Sequence, residues 1–312
     1  MPNWSQVLRE LEREHKRDEA NQRRRRINPT DKVRRRYVKK LADYTGRNVI
    51  CYYSGWLMRP NNPTETSVTD ADKNGFMSVI HGMDRGKGLD LMLHTPGGNI
   101  AATESLVDYL RQMFGTNIRA IIPQLAMSAG TMMACASKSI VMGKQSNLGP
   151  TDPQVRGIPA SEVLKEFAQA VEEIRRDPVA QTVWRPIIEK YHPTFLRDCQ
   201  RAVTWSNEIT REWLKDGMLA DCPDADERSQ AIAEQLSDTD STYSHARHIH
   251  IDQLEAMGLN IERLEEDDEL QDLVLTVHHA YMHTFASTNT YKIIEDHRSG
   301  MLVVGGPQPA QQ

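Results

Sequence analysis

Two short segments of the sequence hold residues suited to acyl-transfer chemistry, and each follows a run of apolar residues. HTPGG at 94–98 ends the run LDLMLH at 89–94, and QLAMSAGT at 124–131 follows IRAIIP at 118–123. Such runs, bounded by glycine and proline, predict buried β-strands. In open parallel sheets ligands bind beyond the carboxyl ends of the strands, so both segments lie where a site is expected.

Ser128 in the second segment is the candidate nucleophile. It lies where a strand passes into a helix of small residues, and a helix N-terminus stabilises nearby negative charge. The amide of Ala129 and the bare backbone of Gly97-Gly98 can then present N–H groups to one oxyanion. Substrate contacts are expected from the residues around these amides, Gly97, Met127 and Gly130.

A structural explanation exists for each segment alone, since PGG can be a tight turn and Ser128 an N-cap. Their co-occurrence, each after a buried strand, favours a site.

The elements around these segments alternate between strands and helices. Strands are predicted at 48–55, 89–94, 118–123 and 139–143, with helices at 76–83, 100–114 and 128–137. This order implies right-handed crossovers and a mainly parallel sheet covered by helices. From about residue 160 the chain turns helical, and its last long helix is predicted at 269–288.

The composition, with 39% hydrophobic and 26% charged residues in 312, is that of a globular protein. The four cysteines are widely spaced and form no C-x-x-C pair, which predicts free thiols in a reducing compartment. The charged N-terminal residues predict no secretory signal, and no apolar run approaches the roughly 18 residues that span a bilayer. We therefore expect a cytoplasmic protein.

Basic residues are concentrated at the start of the chain, where residues 1–40 hold 14 Lys and Arg against 6 Asp and Glu. This asymmetry predicts that the segment docks on an acidic surface, such as residues 261–270 of a neighbouring subunit or another partner protein. A nucleic acid is the less favoured partner. The alternative is a solvated helix.

Several motifs together resemble one family. HTPGG, AMSAGTMMACAS, IVMGKQSNLGPTDPQ and YSHARHI are similar to motifs of the serine dehydrogenase proteinase family. That family is related to the Clp protease proteolytic subunit and to signal peptide peptidase A, within the Clp/crotonase superfamily. The resemblance extends from about Tyr37 to Lys292.

The resemblance implies an α/β fold, a crotonase/Clp-like ββα spiral with a mainly parallel sheet. It implies peptide-bond hydrolysis by Ser128, an oxyanion hole from the amides of Gly98 and Ala129, and a homo-oligomer. The expected parts are a basic helical arm at 1–45, a catalytic core at 46–160, a helical C-terminal part completing the domain at 161–292, and a flexible tail at 293–312.

The general base is the open question, because Thr151 stands where the Clp subunit has its histidine. A Ser–Lys dyad like that of signal peptide peptidase A would use Lys165, but a lysine is a base only when its pKa is lowered, and Glu162 and Glu166 flank this one. His245 is the other candidate, since histidines titrate near neutral pH. The sequence favours His245.

No metal or cofactor is expected. DADKNG at 70–75 imitates the start of a calcium loop, but its twelfth position is His81 instead of a bidentate Glu. The histidines of SHARHIH lack the spacing of a metal site.

The leading hypothesis is a serine peptidase acting on peptides or proteins. The alternatives are an inactive Clp-like scaffold that binds partners and acyl-CoA chemistry of the crotonase type.

Overall fold

The computed structural model describes residues 4–20 and 28–306. The strands are β1 (Asn48–Ser54), β2 (Leu89–His94), β3 (Ile118–Ile122), β4 (Leu125–Ala126), β5 (Ser139–Met142), β6 (Asn147–Leu148), β7 (Gln154–Val155), β8 (Ile158–Pro159), β9 (Ile261–Arg263), β10 (Thr290–Asp296) and β11 (Met301–Gly305). The helices are α1 (Trp4–Ala20), α2 (Pro29–Thr45), α3 (Pro63–Thr66), α4 (Asp72–Ile80), α5 (Ile100–Phe114), α6 (Ala129–Cys135), α7 (Ala160–Arg176), α8 (Gln181–Ile188), α9 (Phe195–Asp216), α10 (Ala225–Ser237), α11 (Thr239–Thr242), α12 (Ile251–Met257) and α13 (Asp268–Ser287). Short 3-10 turns occupy Trp56–Met58, Arg85–Lys87, Pro178–Ala180 and Leu264–Glu266.

The largest sheet has the strand order β11-β10-β1-β2-β3-β5-β9. From β1 to β9 the neighbours run parallel, whereas β10 and β11 are antiparallel. The parallel strands β1 and β2 are buried along their whole length, which explains their continuous apolar sequences. The prediction of a mainly parallel sheet in an α/β fold is confirmed.

Helices cover both faces of this sheet. Successive residues of a strand point to opposite faces, so Ile50 and Tyr52 of β1 pack with α4, α5 and α6, whereas Val49 and Cys51 pack with α2 and α13. Within the described ranges, no helix has a long enough apolar stretch to cross a membrane.

The two ends of the chain differ from the expectation. The prediction of a flexible tail at 293–312 is wrong for the residues that lie in β10 and β11. β10 pairs with β1, and β11 pairs with β10. At the other end α2 is built into the core, and α1 packs on it through Val7 and Leu11. The four arginines at 23–26, the densest part of the expected basic arm, lie outside the described residues.

A buried ion pair joins α2 to β10. Arg34 and Glu295 are both fully buried, with Arg34 Nε donating to Glu295 Oε2 at 2.6 Å. Burial alone would lower the pKa of Arg34, but the Glu295 carboxylate outweighs this effect and raises it above its ordinary value. Such a pair costs desolvation when it forms, yet losing one partner leaves a charge stranded in the core.

Replacing Arg34 with methionine should therefore lower the free energy of unfolding by about 3 kcal/mol. Among residues 4–20 and 28–306, the carboxylate of Glu295 would then keep the partly exposed Arg35 as its one ion-pair partner. Urea unfolding followed by circular dichroism measures the effect, with Lys39→Met as the matched control. Lys39 pairs with Asp43 on the surface, where ion pairs contribute little. Equal unfolding midpoints for the two variants would contradict the assignment.

Candidate active site

Ser128 occupies the turn between β4 and α6, where the backbone is strained. β4 is held against the end of β2, since Thr95 N donates to Leu125 O at 3.2 Å and Met127 N donates to Thr95 O at 2.9 Å. Ser128 then has φ 52° and ψ −116°, in a left-handed region that residues other than glycine rarely adopt. A sharp strand-to-helix turn of this kind exposes the nucleophilic serine of α/β-hydrolases.

The glycine pair lies directly against this turn. A Cβ added to Gly97, whose φ is 94°, would lie 2.7 Å from both Met127 O and Ser128 Cβ. A Cβ added to Gly98 would lie 2.3 Å from Val68 N. Both contacts are closer than a Cβ permits, so Gly97 lets the glycine loop approach the Ser128 turn and Gly98 lets it approach Val68.

The same packing leaves two amides available at the turn. Val68 N donates to Gly97 O at 2.8 Å and Asn99 N donates to Val68 O at 3.0 Å, which fixes the backbone on either side of Gly98. Within residues 4–20 and 28–306, neither the Gly98 amide nor the Ala129 amide donates to a protein acceptor. Their convergence on one oxyanion stays a prediction, and free donors at both positions are what it requires.

Ser128 lines a cleft of about 410 Å³, a volume typical of ligand sites. The residues lining it come from the glycine loop, the Ser128 turn, the 151–154 loop, α9 and the loop before α12. They are Ser67, Pro96, Gly97, Gly98, Asn99, Ile100, Ser128, Ala129, Met132, Thr151, Pro153, Gln154, Ala202, Trp205, Ser206 and His245.

His245 reaches this cleft because its loop is fastened to β6. Leu148 and Ile249 exchange backbone hydrogen bonds of 3.1 and 2.8 Å. The ring is then oriented by Asp152, which is fully buried, with Nδ1 and Oδ1 2.8 Å apart. Since a carboxylate can only accept, Nδ1 carries the proton and Nε2 is left as the basic nitrogen.

Asp152 is the site residue that the sequence analysis missed. It follows Thr151 in GPTDPQ, so an acidic residue stands beside the position where the Clp subunit has its histidine. Its second oxygen accepts a hydrogen bond from the Gln154 side chain at 3.0 Å. The Thr151 hydroxyl is buried and makes no hydrogen bond within the described chain. The only sequence signal was a carboxylate in a Gly-Pro loop, which resembles many ordinary turns.

Lys165 is not brought to Ser128. It lies on α7 outside the cleft, where its Nζ is 2.8 Å from Asp240 and donates to Thr239 Oγ1 at 2.9 Å. Partial burial works to lower the pKa of Lys165, but the hydrogen bond to Asp240 and the nearby carboxylates raise it overall. Both its position and its charge are unsuited to a general base.

Two expected substrate contacts also lie away from the cleft. Met127 turns its side chain towards Gly149, where an added Cβ would meet its Cε at 2.5 Å. Gly130 faces Thr95, whose Cγ2 would lie 2.6 Å from an added Cβ. Gly130 is buried in the first turn of α6, and neither residue is among those that line the cleft. Gly97, in contrast, does line the cleft.

The segment that imitates a calcium loop holds its carboxylate in a buried ion pair. Asp72 accepts hydrogen bonds from Lys292 Nζ at 2.7 and 2.8 Å and from the Tyr52 hydroxyl at 2.8 Å. In the part of the chain that is described, no three His, Cys, Asp or Glu residues are grouped as metal ligands would be.

Replacing Gly98 with alanine should slow acylation of Ser128 by about a hundredfold, the effect of losing one oxyanion donor. The added Cβ would push the amide away from its place beside Val68. Labelling by a fluorophosphonate probe measures the rate. Gly115→Ala is the matched control, because Gly115 has a similar need for positive φ (62°) but open space around it. Labelling of the Gly98 variant at the wild-type rate would contradict the role of this amide.

Comparison with known proteins agrees with the geometry. The family model for a ClpP-like SDH-type serine proteinase matches residues 34–275. Two uncharacterized proteins of Methanocaldococcus jannaschii, MJ1495 and MJ0137, are each 26% identical to 64% of this chain. The matches span 60% and 62% of the length of those relatives. The chain thus belongs to the family of ClpP-like SDH-type serine proteinases, as its motifs predicted.

Proposed function

We propose that this protein is a serine peptidase whose catalytic triad is Ser128, His245 and Asp152. The observation that carries the proposal is that His245, which is hydrogen-bonded to the buried Asp152, lines the same cleft as the strained Ser128 turn. Family membership supports proteolysis as the reaction class. The two available amides support acyl transfer as its chemistry.

In the proposed mechanism Ser128 Oγ attacks the carbonyl carbon of the scissile peptide. His245 Nε2 accepts the hydroxyl proton, and the buried Asp152 carboxylate holds Nδ1–H and stabilises the imidazolium. The amides of Gly98 and Ala129 donate to the oxyanion. His245 then protonates the leaving amine, and a water activated by the same nitrogen hydrolyses the acyl-enzyme.

One adjustment must accompany substrate binding. Among the described residues, Ser128 and His245 share the cleft without a hydrogen bond between them. His245 is 31% exposed, so in the proposed mechanism its ring turns towards the serine when substrate binds. Catalytic hydrogen bonds are often long in unliganded enzymes and tighten around substrate. A scaffold without activity would also lack this bond, which makes it the second candidate.

The wider setting supports the same proposal. We take the sheet and its covering helices as the core of a Clp-like spiral. The four cysteines are unpaired, which is typical of proteins in the reducing cytoplasm. A homo-oligomer stays a prediction. It is supported by the exposed apolar side chains of α7, α8 and the turn between them, Val171, Val179, Val183 and Ile187.

Substitutions in the triad should separate the candidate bases. Ser128→Ala should abolish fluorophosphonate labelling and peptide hydrolysis, and Asp152→Asn should lower kcat by about four orders of magnitude, because the histidine would lose its orientation. His245→Gln should be as severe. Lys165→Gln, the matched control on α7, should keep full activity because its contacts lie outside the cleft.

Different outcomes identify different errors. Labelling that persists in Ser128→Ala shows that another residue is the nucleophile. Loss of activity in Lys165→Gln with full activity in His245→Gln replaces the triad with a Ser–Lys dyad. A folded wild-type protein that neither labels nor cleaves peptides is a scaffold.

A further inference from the structure

A second cavity, of about 390 Å³, adjoins the Ser128 cleft on the side of the glycine loop. Ser67 and Pro96 line both, and Pro96 directly precedes the Gly97-Gly98 pair. A peptide lying along the glycine loop would therefore bring one of its side chains to the mouth of this second cavity. We call it the Trp56 pocket, after one of the residues that line it.

The walls of the Trp56 pocket are poor in hydrogen-bonding groups. Pro60, Pro63 and Pro96 supply three of the lining residues, and proline has no backbone N–H to donate. Leu57 and the indole of Trp56 add apolar surface. A group that must keep its hydrogen bonds would lose them here, whereas an aliphatic or aromatic group would not.

The one charged side chain of the pocket is turned towards the protein. The guanidinium of Arg59 donates to the carbonyls of Met58 at 2.8 Å and Phe285 at 3.2 Å, and also to that of Thr288. These bonds use three of the five N–H donors of the guanidinium and hold it against the backbone, which leaves fewer donors for a carboxylate.

The Trp56 side of the pocket is backed by a buried histidine that is uncharged near neutral pH. The Trp56 ring packs on His94 with centroids 4.3 Å apart. His94 is held by Ser54 O at 3.1 Å and Gln124 Oε1 at 3.2 Å, and burial lowers its pKa to about 4. An indole that packs on a buried ring suits a preformed subsite, since little side-chain ordering is needed on binding.

The geometry points to the Trp56 pocket as a specificity subsite that receives a large apolar side chain, aliphatic or aromatic, of the peptide substrate. The inference rests on the proposed peptidase function and adds the class of substrate to it. It makes the 55–66 segment, which carries no catalytic group, the part of the chain that selects among peptides.

The test uses quenched fluorescent peptides that carry Phe, Leu, Glu or Lys at each position near the scissile bond. The wild-type protein should prefer Phe or Leu over Glu and Lys at one position by about ten- to a hundredfold in kcat/KM, the gain expected from burying such a side chain. Leu57 is 48% exposed and can be changed without emptying the core. Leu57→Glu should lose this preference and gain cleavage of the Lys peptide, while Leu57→Lys should gain cleavage of the Glu peptide.

Met77→Glu is the matched control, because Met77 is similarly exposed at 51% but lies on α4, outside both cavities. Fluorophosphonate labelling of Ser128 is measured in parallel for every variant and reports on the nucleophile separately. Wild-type protein that labels at Ser128 and cleaves all peptides equally overturns the subsite and leaves the triad standing. An unchanged preference in both Leu57 variants also overturns it. Wild-type protein that neither labels nor cleaves overturns the triad and, with it, the subsite.

Discussion

The contact between two loops at the carboxyl edge of the sheet determines the rest of the site. Gly97 lies so close to the Ser128 turn that a Cβ added to it would be 2.7 Å from Ser128 Cβ, and one added to Gly98 would be closer still to Val68. This approach brings the glycine loop to the candidate nucleophile, and both segments line the same cleft. The strain at Ser128, with φ 52°, is tolerated because β2 and β4 hold the turn from both sides. Without that contact the serine would be an ordinary N-cap.

A buried polar network supports this contact from behind. Lys292 of β10 pairs with Asp72 at 2.7 Å and also donates to the carbonyl of Ser67 at 2.5 Å. Ser67 precedes Val68, whose backbone binds both sides of Gly98. Burial works against the charged form of Lys292 and lowers its pKa, so the ion pair is retained at a cost. The network links the antiparallel end of the sheet to the proposed oxyanion hole and to the mouth of the Trp56 pocket.

The sequence predicts individual strands and helices well. The strand at 89–94 and the helix at 100–114 are predicted to the residue, since apolar runs and glycine punctuation bound them. Asp152 was missed because its meaning depends on His245, 93 positions away, folding beside it. The strands of the expected tail were missed because β10 is stabilised by pairing with β1, at the opposite end of the chain. The spacing of apolar residues along the chain does not predict contacts between segments so distant in sequence.

The central claim is that the Gly98 and Ala129 amides and Ser128 Oγ converge on one point. The most direct measurement is a crystal structure of the protein inhibited by a fluorophosphonate. The account predicts phosphorus bonded to Ser128 Oγ, with the phosphonyl oxygen about 3 Å from both amide nitrogens. An adduct on another residue, or a phosphonyl oxygen directed away from the two amides, would contradict it.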